Sequence, residues 1–187
     1  MFEELLSRIG PCLTKHTFPY MVIGGQAVLL YGEPRLTRDI DVTLGANIDR
    51  VHQLLSAIQE ISLEPIPKDI ESFVRQTMVL PALETSTGIR VDFIFSFTPY
   101  ETEAIKRAKK VEILGREICF ASSEDVVIHK IFAGRQRDKE DARIILLKNP
   151  SIDISYIRTW LMQFDASSEE HTFLKTFEEV LRETRQV

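Results

Sequence analysis

The run Tyr20-Met21-Val22-Ile23-Gly24-Gly25, followed by Gln26 to Tyr31, constrains this chain more than any other stretch. Three apolar residues stop at a pair of glycines, and residues with helical preference and no breaker follow, a pattern that predicts strand, tight turn and helix over 26–31. Glycines let an anion approach backbone N–H groups that a Cβ would shield. The helix N-terminus adds partial positive charge, so the turn suits a phosphate. Gly32-Glu33-Pro34 ends the helix, and Asp39-Ile40-Asp41-Val42-Thr43-Leu44 reads as the next strand.

Successive strand residues face opposite sides, which puts Asp39 and Asp41 on one face and Ile40 and Val42 on the other. Two carboxylates on one face repel each other and favour a cation. Mg²⁺ prefers such oxygens and shares them with substrate phosphates. Farther along, Ile89-Arg90-Val91-Asp92-Phe93-Ile94-Phe95 carries one acid in an apolar strand. Such an acid is costly to bury unless it is paired or metal-bound, the alternative being an edge position turned to solvent.

Gly24-Gly25 followed by Arg35-x-Thr37-x-Asp39-Ile40-Asp41 resembles the first motif of the DNA polymerase beta-type nucleotidyltransferases, and within them the AbiEii-like branch, which includes toxins of toxin–antitoxin and phage-defence systems. Asp92 matches that superfamily's hydrophobic-Asp-hydrophobic motif. Glu124 to Lys130, with Arg137-Asp138-x-x-Asp141, is similar to the later motifs of the AbiEii-like proteins. The resemblance covers residues 21–147. It implies an α+β nucleotidyltransferase fold, a mixed β-sheet flanked by helices with a C-terminal helical subdomain. It also implies a Mg²⁺-dependent enzyme that moves a nucleoside monophosphate from an NTP to a hydroxyl of an RNA, a protein or a small molecule.

The same resemblance assigns Asp39, Asp41 and Asp92 as catalytic metal ligands for two Mg²⁺ ions. Gly24, Gly25, Gln26, Arg35, Arg38, Lys130 and Arg137 are assigned to the nucleotide, and Asp138 and Asp141 to support. The three acids are expected to converge in one groove facing Lys130, within the roughly 4 Å span of two-metal sites. Gln26 stands where the family usually has Ser or Thr, which raises the alternative of a degenerate member that binds nucleotide or a partner without chemistry. A metal-dependent nuclease ranks third. A cognate antitoxin is a partner that the branch suggests.

Bland readings stand beside these. Second to its functional reading, Lys130 reads as a surface lysine with its stem along apolar neighbours, while the acids after Arg137 read equally as a salt-bridged helix start. The clusters Lys106, Arg107, Lys109, Lys110, Arg116 and Arg135, Arg137, Lys139, Arg143 read first as solvated faces and second as a track for RNA or a triphosphate. A net charge of −5 argues against a broad nucleic-acid surface. His16, His52, His129 and His171 lack metal-ligand spacing. Cys12 and Cys119 lack redox or metal spacing, the N-terminus is acidic and amphipathic, and no apolar run reaches membrane length, so a cytoplasmic protein without a membrane partner is expected.

Elsewhere, patterning predicts helices over 2–15 (kinked or split at Pro11), 47–60 (capped by Asn47), 69–74, 98–110, 122–133, 138–148, 152–164 and 169–185, the last with Ser167 or Ser168 as cap. Strands are predicted over 76–84, 89–95, 111–114 and 117–120. Phe93, Phe95 and Phe97 are expected in the core. The domain boundary is placed near Phe120, giving a catalytic domain over 1–120 and a helical subdomain over 121–187.

Overall fold

A computed structural model of the chain describes residues 1–169 and 172–184. His171 and the far end of the helix expected over 169–185 lie outside them. The chain forms two compact units, one of Met1–Gln26 with Leu36–Ala121, the other of Ala27–Arg35 with the chain from Ser122 on. Each packs its own apolar core.

The first unit carries β1 (Tyr20–Ile23), β2 (Asp39–Gly45), β3 (Glu64–Pro65), β4 (Val79–Glu84), β5 (Ile89–Ser96), β6 (Lys109–Ile113) and β7 (Arg116–Phe120). They form one mixed sheet in the order β3-β4-β5-β2-β1-β7-β6. β2 runs parallel to β5 and antiparallel to β1, while β1 pairs parallel with β7. Period-two patterning sets which side chains are buried: Ile40, Val42, Val91 and Phe93 are fully buried, and Asp39, Asp41, Arg90 and Asp92 point to the opposite face. This is an α+β architecture with a mixed sheet, as the sequence resemblance implies.

Four helices belong to this unit: α1 (Phe2–Lys15), α3 (Val51–Glu60), α4 (Ile70–Thr77) and α5 (Pro99–Arg107). α1 is one helix through Pro11, so the chain does not split there. An interior proline costs about 3 kcal/mol, but the buried stripe of Leu5, Leu6, Ile9, Cys12 and Leu13 spans both sides of it and outweighs that cost. Asn47 caps as expected, its side chain accepting from the Ile48 N–H, although a 3₁₀ turn over Ile48–Arg50 precedes α3. α4 takes Gln76 and Thr77 from the predicted strand, because Asp69 caps its start and left-handed Met78 closes its end. α5 releases Lys109 and Lys110, which pair across β6 with Phe120 and Cys119. Cross-strand pairing there overrides the helical preference of lysine. Phe93 and Phe95 are buried, but Phe97 lies past the end of β5 and is 72% exposed.

α2 (Gly24–Tyr31) starts in the first unit, at the glycines themselves rather than at Gln26, and passes into the second. The second unit continues with α6 (Ser123–Ala133), α7 (Gln136–Lys148), α8 (Ile154–Ser167) and α9 (Phe173–Thr184). Ser122 caps α6 through the Asp125 N–H, and Gly134, at φ +68°, ends it in the left-handed conformation that glycine adopts freely. Ser167 lies inside α8, and Ser168 follows its end. Among the described residues no helix is long and apolar enough to cross a membrane.

Candidate active site

The parallel pairing of β2 with β5 places Asp41 directly opposite Asp92, and Asp39 opposite Arg90. Partners on adjacent strands share a face, so three carboxylates and one guanidinium lie together on the half-exposed side of the sheet. Like charges directly opposite each other are destabilising. Arg90 offsets them: its Nε donates to Asp92 Oδ1 at 2.7 Å. That hydrogen bond, assisted by the attraction of Asp92, Asp39 and Asp41, outweighs partial burial and raises the guanidinium above its ordinary pKa. Thr37 Oγ1 makes a long contact of 3.4 Å to Asp39 Oδ1.

Asp41 also meets the glycine turn. Ile23, the last residue of β1, is the register partner of Asp41, and Gly24 follows at φ +63°. A Cβ at Gly24 would stand 1.9 Å from Asp41 Oδ2. Only glycine therefore lets the carboxylate sit against the turn. Gly24→Ala is expected to destabilise the protein by at least the roughly 1–2 kcal/mol of a left-handed non-glycine residue, and to push Asp41 aside. Urea denaturation checks this, and unchanged stability would contradict the contact.

Gly25 is buried, as is Gln26, which is 6% exposed. The Nε2 of Gln26 makes no hydrogen bond within the described chain. A buried amide donor left unpaired costs about 1–3 kcal/mol, so a phosphate oxygen would be a favourable partner for it. Arg38 is exposed.

The three acids share a face without closing on one point. Among the described residues, no three of His, Cys, Asp and Glu are gathered closely enough to form a metal-holding group. The donor chemistry still suits Mg²⁺. The oxygens are carboxylate, the Asp41–Asp92 pair is partly open, and the Gly24 backbone lies against Asp41. Mg²⁺ commonly takes one or two carboxylates and completes its shell with water and substrate phosphates.

In the second unit, Gly134 and Arg135 turn the chain from α6 into α7 and bring Lys130 onto two acids. Lys130 Nζ lies 2.7 Å from Asp138 Oδ1 and 3.1 Å from Asp141 Oδ2. Arg135 Nε donates to Asp138 Oδ2 at 2.5 Å, and Arg35 Nη2 stands 3.1 Å from Asp141 Oδ2. Lys130 is buried, so it is no solvated surface lysine. Asp138 and Asp141 are both helix-start acids and its ion-pair partners. Arg137, assigned to the nucleotide, is exposed, and Arg135 holds Asp138 instead. The i to i+3 spacing of Arg135 and Asp138 was the signal for that pair. For Arg90 the signal was its place two residues before Asp92 on an alternating strand.

Burial alone would raise the Asp138 pKa, but the hydrogen bonds from Arg135 and Lys130 prevail and leave it below the usual carboxylate value. A depressed folded-state pKa contributes stability that is complete above the unfolded value of about 3.9 and lost as pH falls through the folded one. Acid titration of stability should thus be shallower below about pH 4 in Asp138→Asn than in the native protein. Equal slopes would count against the pairing.

The other charged stretches are ordinary. Lys110 pairs with Glu117, Lys106 with Glu103 and Arg143 with Glu140. His16 and His52 lie against Glu60 and Glu71.

Comparison with known proteins agrees with this architecture. The chain resembles the solution structure of the antibiotic-resistance factor ANT(2'')-Ia, with a TM-score of 0.60 and 17% identity over 90% of this chain and 95% of that one. A crystal structure of ANT(2'')-Ia in complex with adenylyl-2''-tobramycin gives a TM-score of 0.52 and 15% identity, over 80% and 88%. The crystal structure of an antigenic nucleotidyltransferase-like protein from Paracoccidioides brasiliensis gives 0.57 and 16%, over 93% and 92%. At these identities the likeness establishes a shared fold. No curated protein matches the chain by sequence. A family profile, however, matches nearly its whole length, residues 2–185, and by that match the chain belongs to the family described as nucleotidyltransferase of unknown function, DUF6036.

Proposed function

We propose that this protein transfers a nucleoside monophosphate from an NTP to a hydroxyl acceptor, with Mg²⁺ held at Asp39, Asp41 and Asp92. The observation that carries this reading is the Asp41–Asp92 pair on neighbouring parallel strands, against the Gly24 turn. When bound, the two ions would neutralise phosphate charge and favour the ionised acceptor oxygen. The acceptor oxygen bonds to the α-phosphorus, the α–β bridging P–O bond breaks, and pyrophosphate leaves. Asp92 takes the hydroxyl proton. The Gly24 and Gly25 backbone and the Gln26 amide bind phosphate oxygens. Arg35, Arg38, Lys130 and Arg137 are the cations assigned to the nucleotide, with Asp138 and Asp141 orienting Lys130.

The first unit, which holds the three acids, would carry catalysis. Kinship with the AbiEii-like branch, and with it a cognate antitoxin and a cytoplasmic setting, rests on the order of the motifs. The ANT(2'')-Ia likeness motivates including a tobramycin-like acceptor among those tried. Each of the four NTPs, labelled at the α-phosphate, is to be incubated with Mg²⁺ and tRNA, cell-extract protein or an aminoglycoside. Label is expected on one acceptor class, and none on any would sink the reading. A second reading, nucleotide binding without turnover, is favoured by the Arg90 bond that engages Asp92. Calorimetry showing nucleotide affinity in a protein that never transfers label would select it.

A further inference from the structure

We propose that Arg90 is a tethered cation that closes the carboxylate face until a metal–nucleotide complex displaces it. This rests on the reading of Asp39, Asp41 and Asp92 as the metal ligands, and adds a control on how that site is filled. Arg90 sits on the same face as all three acids, opposite Asp39 and two residues before Asp92. Its Nε donates to Asp92 Oδ1 at 2.7 Å. That oxygen is one a divalent ion would need. A metal arriving alone must therefore compete with a guanidinium already in place.

The latch is a weak one. The Arg90 side chain is 52% exposed, while that of Asp92 is 17% exposed. Ion pairs at such solvent-open positions contribute little, because water and salt screen them. A doubly charged ion carrying a triphosphate outcompetes Arg90 on the carboxylates and offers the freed guanidinium new anionic oxygens, which it binds well. The site thus discriminates against metal without nucleotide. Metal and nucleotide then strengthen each other's binding reciprocally.

The test is Mn²⁺ affinity without nucleotide, followed by the electron paramagnetic resonance signal of free Mn²⁺, in the native protein, Arg90→Gln, Arg90→Lys and Asp41→Asn. Arg90→Gln is expected to bind Mn²⁺ about three- to tenfold more tightly than native, with Arg90→Lys close to native. A side chain that merely supported the fold would give weaker binding on removal. Unchanged or weaker binding in Arg90→Gln, with a native site that Asp41→Asn abolishes, overturns the latch and leaves the metal-site reading intact. Mn²⁺ binding that Asp41→Asn does not alter overturns both. As a measure on the unsubstituted protein, the Arg90 Nε–H resonance should shift when Mg²⁺ and a non-hydrolysable NTP are added together. A resonance that stays in place overturns the latch.

Discussion

Asp41→Asn is expected to reduce nucleotidyl transfer by roughly a thousandfold or more, the scale of removing a charge that acts on the transition state in a preorganised site. The substitution keeps the volume against Gly24, where Asp41 Oδ2 leaves no room for a Cβ. It removes one of two carboxylates that face each other across β2 and β5. Repulsion between them is relieved, so the fold should be as stable as before or slightly more so. Loss of activity without loss of stability is the signature of a residue kept for function. Steady-state rates at saturating NTP and Mg²⁺, beside urea denaturation, separate the two quantities. Activity within a few-fold of native would remove Asp41 from the chemistry.

Lys130→Met should have the largest effect on stability, about 3–5 kcal/mol, because removing one partner strands buried charge. The side chains of Lys130, Asp138 and Asp141 are 8%, 3% and 7% exposed. Methionine fills the space of the lysine stem but leaves Asp138 to Arg135 and Asp141 to Arg35. The midpoint of urea unfolding is the measurement. Stability unchanged in Lys130→Met would mean that the lysine is held for a ligand and not for the fold. Asp141→Asn in the same background should restore part of the loss, since one stranded charge is gone; a purely additive double variant would argue against a shared network.

Local features were the most legible. Asn47, Thr98 and Ser122 stand at helix starts as expected, and all three accept the backbone N–H that their position requires. The shared face of Asp39 and Asp41 follows from strand period alone. Misreadings fell where a distant partner decided the outcome. Lys109 and Lys110 look helical until β7 offers them a strand to pair with. Pro11 looks disruptive until the buried stripe of α1 is counted across it.

The candidate site divides along the same line. Chain order and residue type determined that acids would alternate with apolar residues on two strands, and that a glycine turn would precede them, because pleat and backbone sterics act over a few residues. Only the tertiary structure decided that β2 would lie parallel to β5 in the register that sets Asp41 against Asp92 and Asp39 against Arg90. It alone decided that residues 27–35 pack with the helices that begin at Ser122. Register and packing are set by side chains remote in sequence, whose combined burial outweighs any local preference, and no local pattern encodes that sum.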